Sequence, residues 1–165
     1  MHRFPLYLAG CLLLGTLSSG CAEDIFGCTD PRSSTYNPDA TVEDGSCVAL
    51  EDELPGFWLA TALVIDGTDA IGQGAIQSFG VEFRADQTFV YAFVVAAGGV
   101  GTAGGTWGVV NGTTLRLTFT AANSVTLCGD AEHRFRVGEP FSPTTLTLTD
   151  NCEDGTPVAL DLVKQ

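Results

Sequence analysis

Basic residues are scarce in this chain: seven Lys plus Arg stand against twenty Asp plus Glu, a formal net charge of −13 over 165 residues. Binding of nucleic acid needs clustered cations to meet phosphates, so that partner class is excluded. Lysine occurs once, at Lys164, which leaves no polybasic patch for an anionic membrane. Histidine occurs at His2 and His133 alone, too few for a His-clustered zinc site. The apolar run from Phe4 to Leu17 is interrupted by Pro5, Gly10 and Gly15 and is shorter than the roughly 20 residues of a spanning helix. No later stretch is as long, and none after Leu54 sustains a helical period. What is present is a 45% hydrophobic fraction with twenty glycines, rich in Thr, Val and Phe, the composition of a globular β-rich chain.

The first twenty residues read as an export address. Met1-His2-Arg3 is a charged start, an apolar segment follows, and Ser18-Ser19-Gly20-Cys21 is a small-residue cleavage zone. Small residues before Cys resemble the lipobox of bacterial lipoproteins, in which the Cys is acylated and becomes the first mature residue. Leu8-Ala9-Gly10-Cys11 matches that pattern better, but too little chain precedes it for an apolar segment. Cys21 is therefore the expected lipid attachment site. Cleavage there removes Cys11 and leaves Cys21, Cys28, Cys47, Cys128 and Cys152, an odd number that leaves one Cys for a lipid after four have paired. The resemblance implies membrane anchoring through acyl chains and a cell-envelope location. Ala22, in place of an inner-membrane retention Asp, implies the outer membrane if the source is Gram-negative.

Residues 21–53 form an acidic, Cys-framed segment. Gly27-Cys28-Thr29-Asp30-Pro31, Tyr36-Asn37-Pro38, Ala40-Thr41 and Asp44-Gly45-Ser46-Cys47 resemble a short module of secreted bacterial proteins, GCTDPxAxNYNPxATxDDGSC. Tyr36 and Val42 are nearly its only large apolar residues, so it has no core, and such exported modules depend on a disulfide. A Cys28–Cys47 bridge closing this loop contributes about 3 kcal/mol in the chain-entropy account. Asp30, Asn37, Asp39, Glu43 and Asp44 are candidate oxygen ligands for calcium, against the plainer reading of a solvated acidic turn; no other cofactor is expected. Residues 48–53 read as an acidic linker.

From residue 54 onward, runs of β-formers are punctuated by Gly, Asn and Asp. Strands are expected near 57–65, 76–84, 88–96, 105–110, 113–119, 132–138, 144–149 and 157–163. Asn111-Gly112 is a strong hairpin signal, and Ala85-Asp86-Gln87 a weaker one. Leu115, Leu117 and Phe119 share one face, against Thr114, Arg116 and Thr118. Phe89, Tyr91 and Phe93 oppose Val90, Ala92 and Val94, so that strand is apolar on both sides. The glycine-rich stretch from Gly98 to Gly105 is expected to be a mobile loop. Cys128 and Cys152 flank a predicted hairpin and are placed to bridge its ends, next to an acid-rich turn at Asp150 to Gly155.

About eight consecutive antiparallel strands suit an up-and-down β-barrel, an all-β fold. Leu54-Pro55-Gly56-Phe57-Trp58, Phe83-Arg84-Ala85-Asp86-Gln87-Thr88-Phe89 and Gly105-Thr106-Trp107 resemble, in order, the L-x-G-x-W, F-x-x-D-G-T-F and G-T-W motifs of lipocalin-like domains. Gln87 departs from the usual Gly, and Lys164 stands where many members carry an Arg over the first Trp. The resemblance implies a lipocalin-like barrel over 54–165. Trp58, Phe79, Phe83, Phe89, Tyr91, Phe93, Trp107 and Phe119 are its candidate interior, either lining a cavity for a small apolar ligand or filling a core.

Chemistry is thinly represented. His133 shares an apolar strand face with Phe135 and Val137 and reads as a hydrogen-bonded core residue, not a base. Arg134, Arg136 and Arg116 concentrate positive charge and could receive a carboxylate ligand, though pairing with Glu132 and Glu139 is the plainer account. The expectation is a non-enzymatic, monomeric, lipid-anchored envelope protein. Its barrel binds a small apolar molecule or a protein partner, or else is a filled interaction module without a small-molecule ligand.

Overall fold

The computed structural model describes residues 23–120, 129, 131–139 and 141–165. The export segment, Cys21 and Cys128 lie outside the described residues.

Two short strands, β1 (Phe26–Gly27) and β2 (Val42–Glu43), pair in parallel in the N-terminal module. A disulfide joins Cys28 to Cys47, as the sequence led us to expect. Cys28 is fully buried although the module has almost no apolar residues around it, so the bridge supplies the constraint that a core would otherwise provide. The segment read as a linker is instead a single helical turn, α1 (Leu50–Glu53). Leu50 and Leu54 are buried in the same core as the main domain. Their two apolar side chains outweigh the flanking acids, which remain at the surface.

The remaining strands are β3 (Gly56–Ile65), β4 (Thr68–Asp69), β5 (Ile76–Phe83), β6 (Thr88–Val95), β7 (Val100–Val110), β8 (Thr114–Phe119), β9 (Glu132–Val137), β10 (Thr145–Asn151) and β11 (Pro157–Lys164). Antiparallel neighbours run from β3 to β5 and then in chain order to β11, which pairs back onto β3. The eight strands thus close an up-and-down barrel, with β4 folded back on the end of β3. Closure removes the free sheet edges that invite aggregation. Strict alternation sets the faces. In β9, Glu132, Arg134 and Arg136 are exposed while His133, Phe135 and Val137 are buried.

Turn chemistry agrees with the backbone. Asn111 and Gly112 have φ of 55° and 72°, the two left-handed residues of the hairpin turn that Asn-Gly favours. Asp66-Gly67, with φ of 49° and 74°, joins β3 to β4 in the same way. A strand of two residues carries no alternation to flank this Asp-Gly signal in the sequence. Gln87 is also left-handed, at φ 64°, in the position where Gly is usual.

The expected mobile loop from Gly98 to Gly105 is corrected. β7 begins at Val100 and pairs with β6 along its whole first half. The glycines there are packing sites. A side chain on Gly101 would collide with the Phe93 ring directly across the ladder, and one on Gly105 with the Thr118 carbonyl. Glycine costs strand stability when nothing fills its place, but here neighbouring side chains and backbone occupy that space.

Candidate functional site

One end of the barrel is closed by local chemistry. The Trp58 indole N–H donates to the Leu54 carbonyl at 2.8 Å, which ties the strand to the chain leading out of α1. Lys164 Nζ lies 5.4 Å from the Trp58 ring centroid and donates to the Glu53 carbonyl at 2.6 Å. Lysine therefore performs the covering role that the resemblance assigns to Arg. Gly56 has φ 141° and lies beneath the Lys164 stem, so a residue with a Cβ would be both strained and obstructed there. The Trp107 indole donates to the Arg84 carbonyl at 3.0 Å, fastening β7 to the β5–β6 turn.

All eight candidate interior residues belong to the barrel core. Trp58, Phe79, Phe83, Phe89, Tyr91 and Trp107 are buried, and Phe93 and Phe119 are partly buried against the same cluster. Their rings touch one another: Phe83 meets Trp107 edge-on at 6.1 Å between centroids, and Phe89 meets Phe119 edge-on at 5.3 Å. Such pairs contribute about 0.5–1.5 kcal/mol each beyond their burial. The interior void among Phe79, Tyr91, Phe119, His133 and Phe135 measures about 10 Å³. That is close to the smallest space that admits one water, whereas pockets for drug-sized ligands run to about 300–1,000 Å³.

At the opposite end sits the one ionisable pair with a buried member among the described residues. His133 is 2% exposed, and its Nδ1 is 3.0 Å from Asp150 Oδ2. The sequence places Asp150 in an acid-rich turn. It is instead in β10, where its carboxylate also accepts the Arg134 backbone N–H at 3.1 Å and the Asn151 N–H at 2.8 Å. A carboxylate can only accept, so the His133 proton sits on Nδ1 in the neutral ring. Nε2 is buried without a hydrogen-bond partner among the described residues, and the rings near His133 are those of Phe119 and Phe135. An acid and an imidazole are thus in place, but no hydroxyl or thiol among the described residues meets Nε2.

The larger space is outside. Strands β9 and β10 share only the Leu148–Val137 and Thr149–Arg136 pairs. Beside them, a groove of about 580 Å³ crosses the outer wall, lined by Val64, Arg134, Arg136, Thr149, Asp150 and Ala159 among others. Arg116 stands directly opposite Arg134 in the β8–β9 ladder. Arg134 Nε pairs with Glu132 at 2.7 Å along its own strand. The pairing expected with Glu139 is absent among the described residues, as is any carboxylate partner for Arg116 or Arg136.

The five proposed calcium ligands are not brought together as a ligand set. Asp30 holds Arg32 at 2.7 Å, and that guanidinium together with the Arg32 backbone N–H pulls the Asp30 pKa down to about 2. Glu43 accepts the Thr29 and Gly45 N–H groups, and these bonds lower its pKa. Asp44 is lowered by Ser46 in the same fashion, and Asn37 caps the Asp39 N–H. The Asp30, Asn37, Glu43 and Asp44 side chains are each taken up by nearby backbone or side-chain donors. The one group of metal-capable residues among those described is Cys28, Glu43 and Cys47, and the disulfide occupies both sulfurs. Cys152 is disulfide-bonded as well; the Cys128 end of the expected bridge lies outside the described residues.

No family model matches the chain, and no curated protein matches it. Among solved structures, a lipocalin-like protein from Bacteroides uniformis is similar at 15% identity, with a TM-score of 0.47 over 68% of this chain and 99% of that one. A protein from Bacteroides eggerthii gives 16% identity and a TM-score of 0.44 over 68% and 99%. A de novo fluorescence-activating β-barrel gives 14% and 0.48 over 72% and 99%. The strand ladders described above, not these distant likenesses, establish that the chain is a closed antiparallel barrel behind a disulfide-framed module.

Proposed function

We propose that this chain is a lipid-anchored, non-enzymatic binding protein of the cell envelope, whose barrel is a solid scaffold and whose outer wall carries recognition. The observation behind this reading is the contrast between an interior void of about 10 Å³ and an external groove of about 580 Å³. Apolar side chains on the outer wall add to it: Phe57, Leu59, Val90 and Val100 are all exposed. Val90, the face of β6 that looked greasy in the sequence, is among them. The disulfides accord with an oxidising compartment, and the Ser18-Ser19-Gly20-Cys21 segment supplies the anchor, in the outer membrane if the source is Gram-negative.

Two measurements test this. A Cys21→Ala variant should move from the detergent phase to the aqueous phase and lose its acyl mass; unchanged partitioning would refute the anchor. A panel of fatty acids and retinoids should leave Trp58 and Trp107 fluorescence unaltered, since the void of about 10 Å³ among the described interior residues is too small for them.

One observation favours a second reading, in which a small ligand enters the barrel: the buried Nε2 of His133 has no partner, and unsatisfied buried polar atoms are rare. Saturable quenching of the tryptophans by a member of the panel would decide for that reading.

A further inference from the structure

Six basic residues remain after Arg3, and their arrangement is uneven. Arg32 pairs with Asp30, Arg84 with Glu82 and Arg134 with Glu132, while Lys164 covers Trp58. Arg116 and Arg136 have no acidic partner among the described residues, although the chain carries twenty acids. Both belong to one cluster on the outer face of β8 and β9, where Arg116 faces Arg134 and Thr114 faces Arg136. Like charges directly opposite in a ladder repel; Glu132 offsets Arg134, which leaves the charges of Arg116 and Arg136 for an outside anion to offset.

The groove beside the cluster has two kinds of wall. A row of short side chains crosses the barrel, from Val64 to Ala159 to Thr149 and then to Arg136. Pro157 and Gly67 flank that row. Its floor is therefore shallow and partly apolar, while Arg134 and Arg136 hold one side; the Asp150 carboxylate in the lining is taken up by His133 and by the Arg134 and Asn151 N–H groups. Residues two apart on a strand point to the same face about 6.8 Å apart, so both guanidinium groups can approach one ligand. A guanidinium pairs two N–H groups with a carboxylate or phosphate in a planar fork.

We propose that this outer groove binds a small organic oxyanion, its carboxylate or phosphate head held by Arg134 and Arg136 and its apolar body on the Val64–Ala159–Pro157 floor. Arg116 adds to the local positive field. The proposal rests on the reading that the outer wall, not the barrel interior, is the recognition surface.

The test is a titration of the full chain in detergent, labelled at arginine Nε, with benzoate, acetate and inorganic phosphate. The Arg134 and Arg136 signals should shift saturably with a Kd near 1 mM for benzoate, in line with the affinity of a ligand of that size. The Arg84 signal, on another part of the wall, should stay still. Benzoate should bind more tightly than acetate because of the floor, and the ratio of benzoate to phosphate affinity tells which head is preferred. Arg136→Gln should weaken binding by about tenfold or more, and Arg84→Gln should not. Unmoved arginine signals, equal non-saturating shifts at every arginine, or no effect of Arg136→Gln would overturn the site. If benzoate ignores Arg136→Gln and instead quenches the tryptophans, the ligand lies inside the barrel and the outer-wall reading falls too. Absence of any binding refutes this site alone, because the anchoring and fluorescence tests read the broader proposal separately.

Discussion

Two glycines on β7 make a matched pair for testing why that strand is rich in glycine. At Gly105 an added Cβ would overlap the Thr118 carbonyl oxygen and lie 2.9 Å from Thr118 C and 3.0 Å from Phe119 Cα. All three are backbone atoms of the paired strand, so no rotamer change relieves the overlap. The ladder must instead open by about 1 Å to restore ordinary contact. That sacrifices roughly two backbone hydrogen bonds at about 1 kcal/mol each and disturbs Phe119 and Trp107, at a further 1–2 kcal/mol or so. Gly105→Ala is therefore expected to cost about 3–4 kcal/mol, a fall in Tm of about 10 °C for a domain of this size. Three residues along the same strand, Gly108 has no atom within 4 Å of an added Cβ. Gly108→Ala should be neutral or stabilising by up to about 1 kcal/mol, because alanine narrows the unfolded ensemble. Urea and thermal unfolding followed by tryptophan fluorescence would measure both. A Gly105→Ala protein that melts within about 2 °C of the parent would refute the packing account and restore the reading of a loose, loop-like segment.

Removing the Lys164 ammonium with Lys164→Ala deletes the bond to the Glu53 carbonyl and the contact with Trp58; about 2 kcal/mol should be lost, and Lys164→Arg should recover most of it in the same melts. Substituting Ser for both Cys28 and Cys47 should make the 23–49 segment sensitive to limited proteolysis while the barrel's far-ultraviolet signal persists, since the bridge and not a core holds that module. The Asp30 carboxyl has its folded pKa depressed to about 2 from its ordinary value of 3.8. Its contribution is thus present above the unfolded value and lost as pH falls through the folded one. Carboxyl NMR shifts should show Asp30 titrating near pH 2, with the Arg32 Nε signal changing in step; titration of Asp30 near pH 4 would show that the pair does not form in solution.

Local and periodic information was legible in the amino-acid order. Alternation marked the eight barrel strands and told inward Leu115, Leu117 and Phe119 from outward Arg116. Asn111-Gly112 announced its turn because few residues tolerate two consecutive left-handed positions, and the module's cysteine spacing announced the Cys28–Cys47 bridge. Other features depended on which strands become neighbours. Gly98 to Gly105 looked unstructured because a glycine's value lies in what crosses it, and Phe93 and Thr118 reach it only through pairings with β6 and β8. Leu50 looked like linker because two leucines amid acids have no period, yet they are the residues that reach the core at the Trp58 end. Asp150 and His133 are seventeen positions apart, and only the pairing of β9 with β10 brings the carboxylate to the imidazole. How much space the inward side chains leave is likewise decided in three dimensions: alternation says which side chains point inward, but the void between them depends on how the ring of strands closes and how the aromatic rings stack within it.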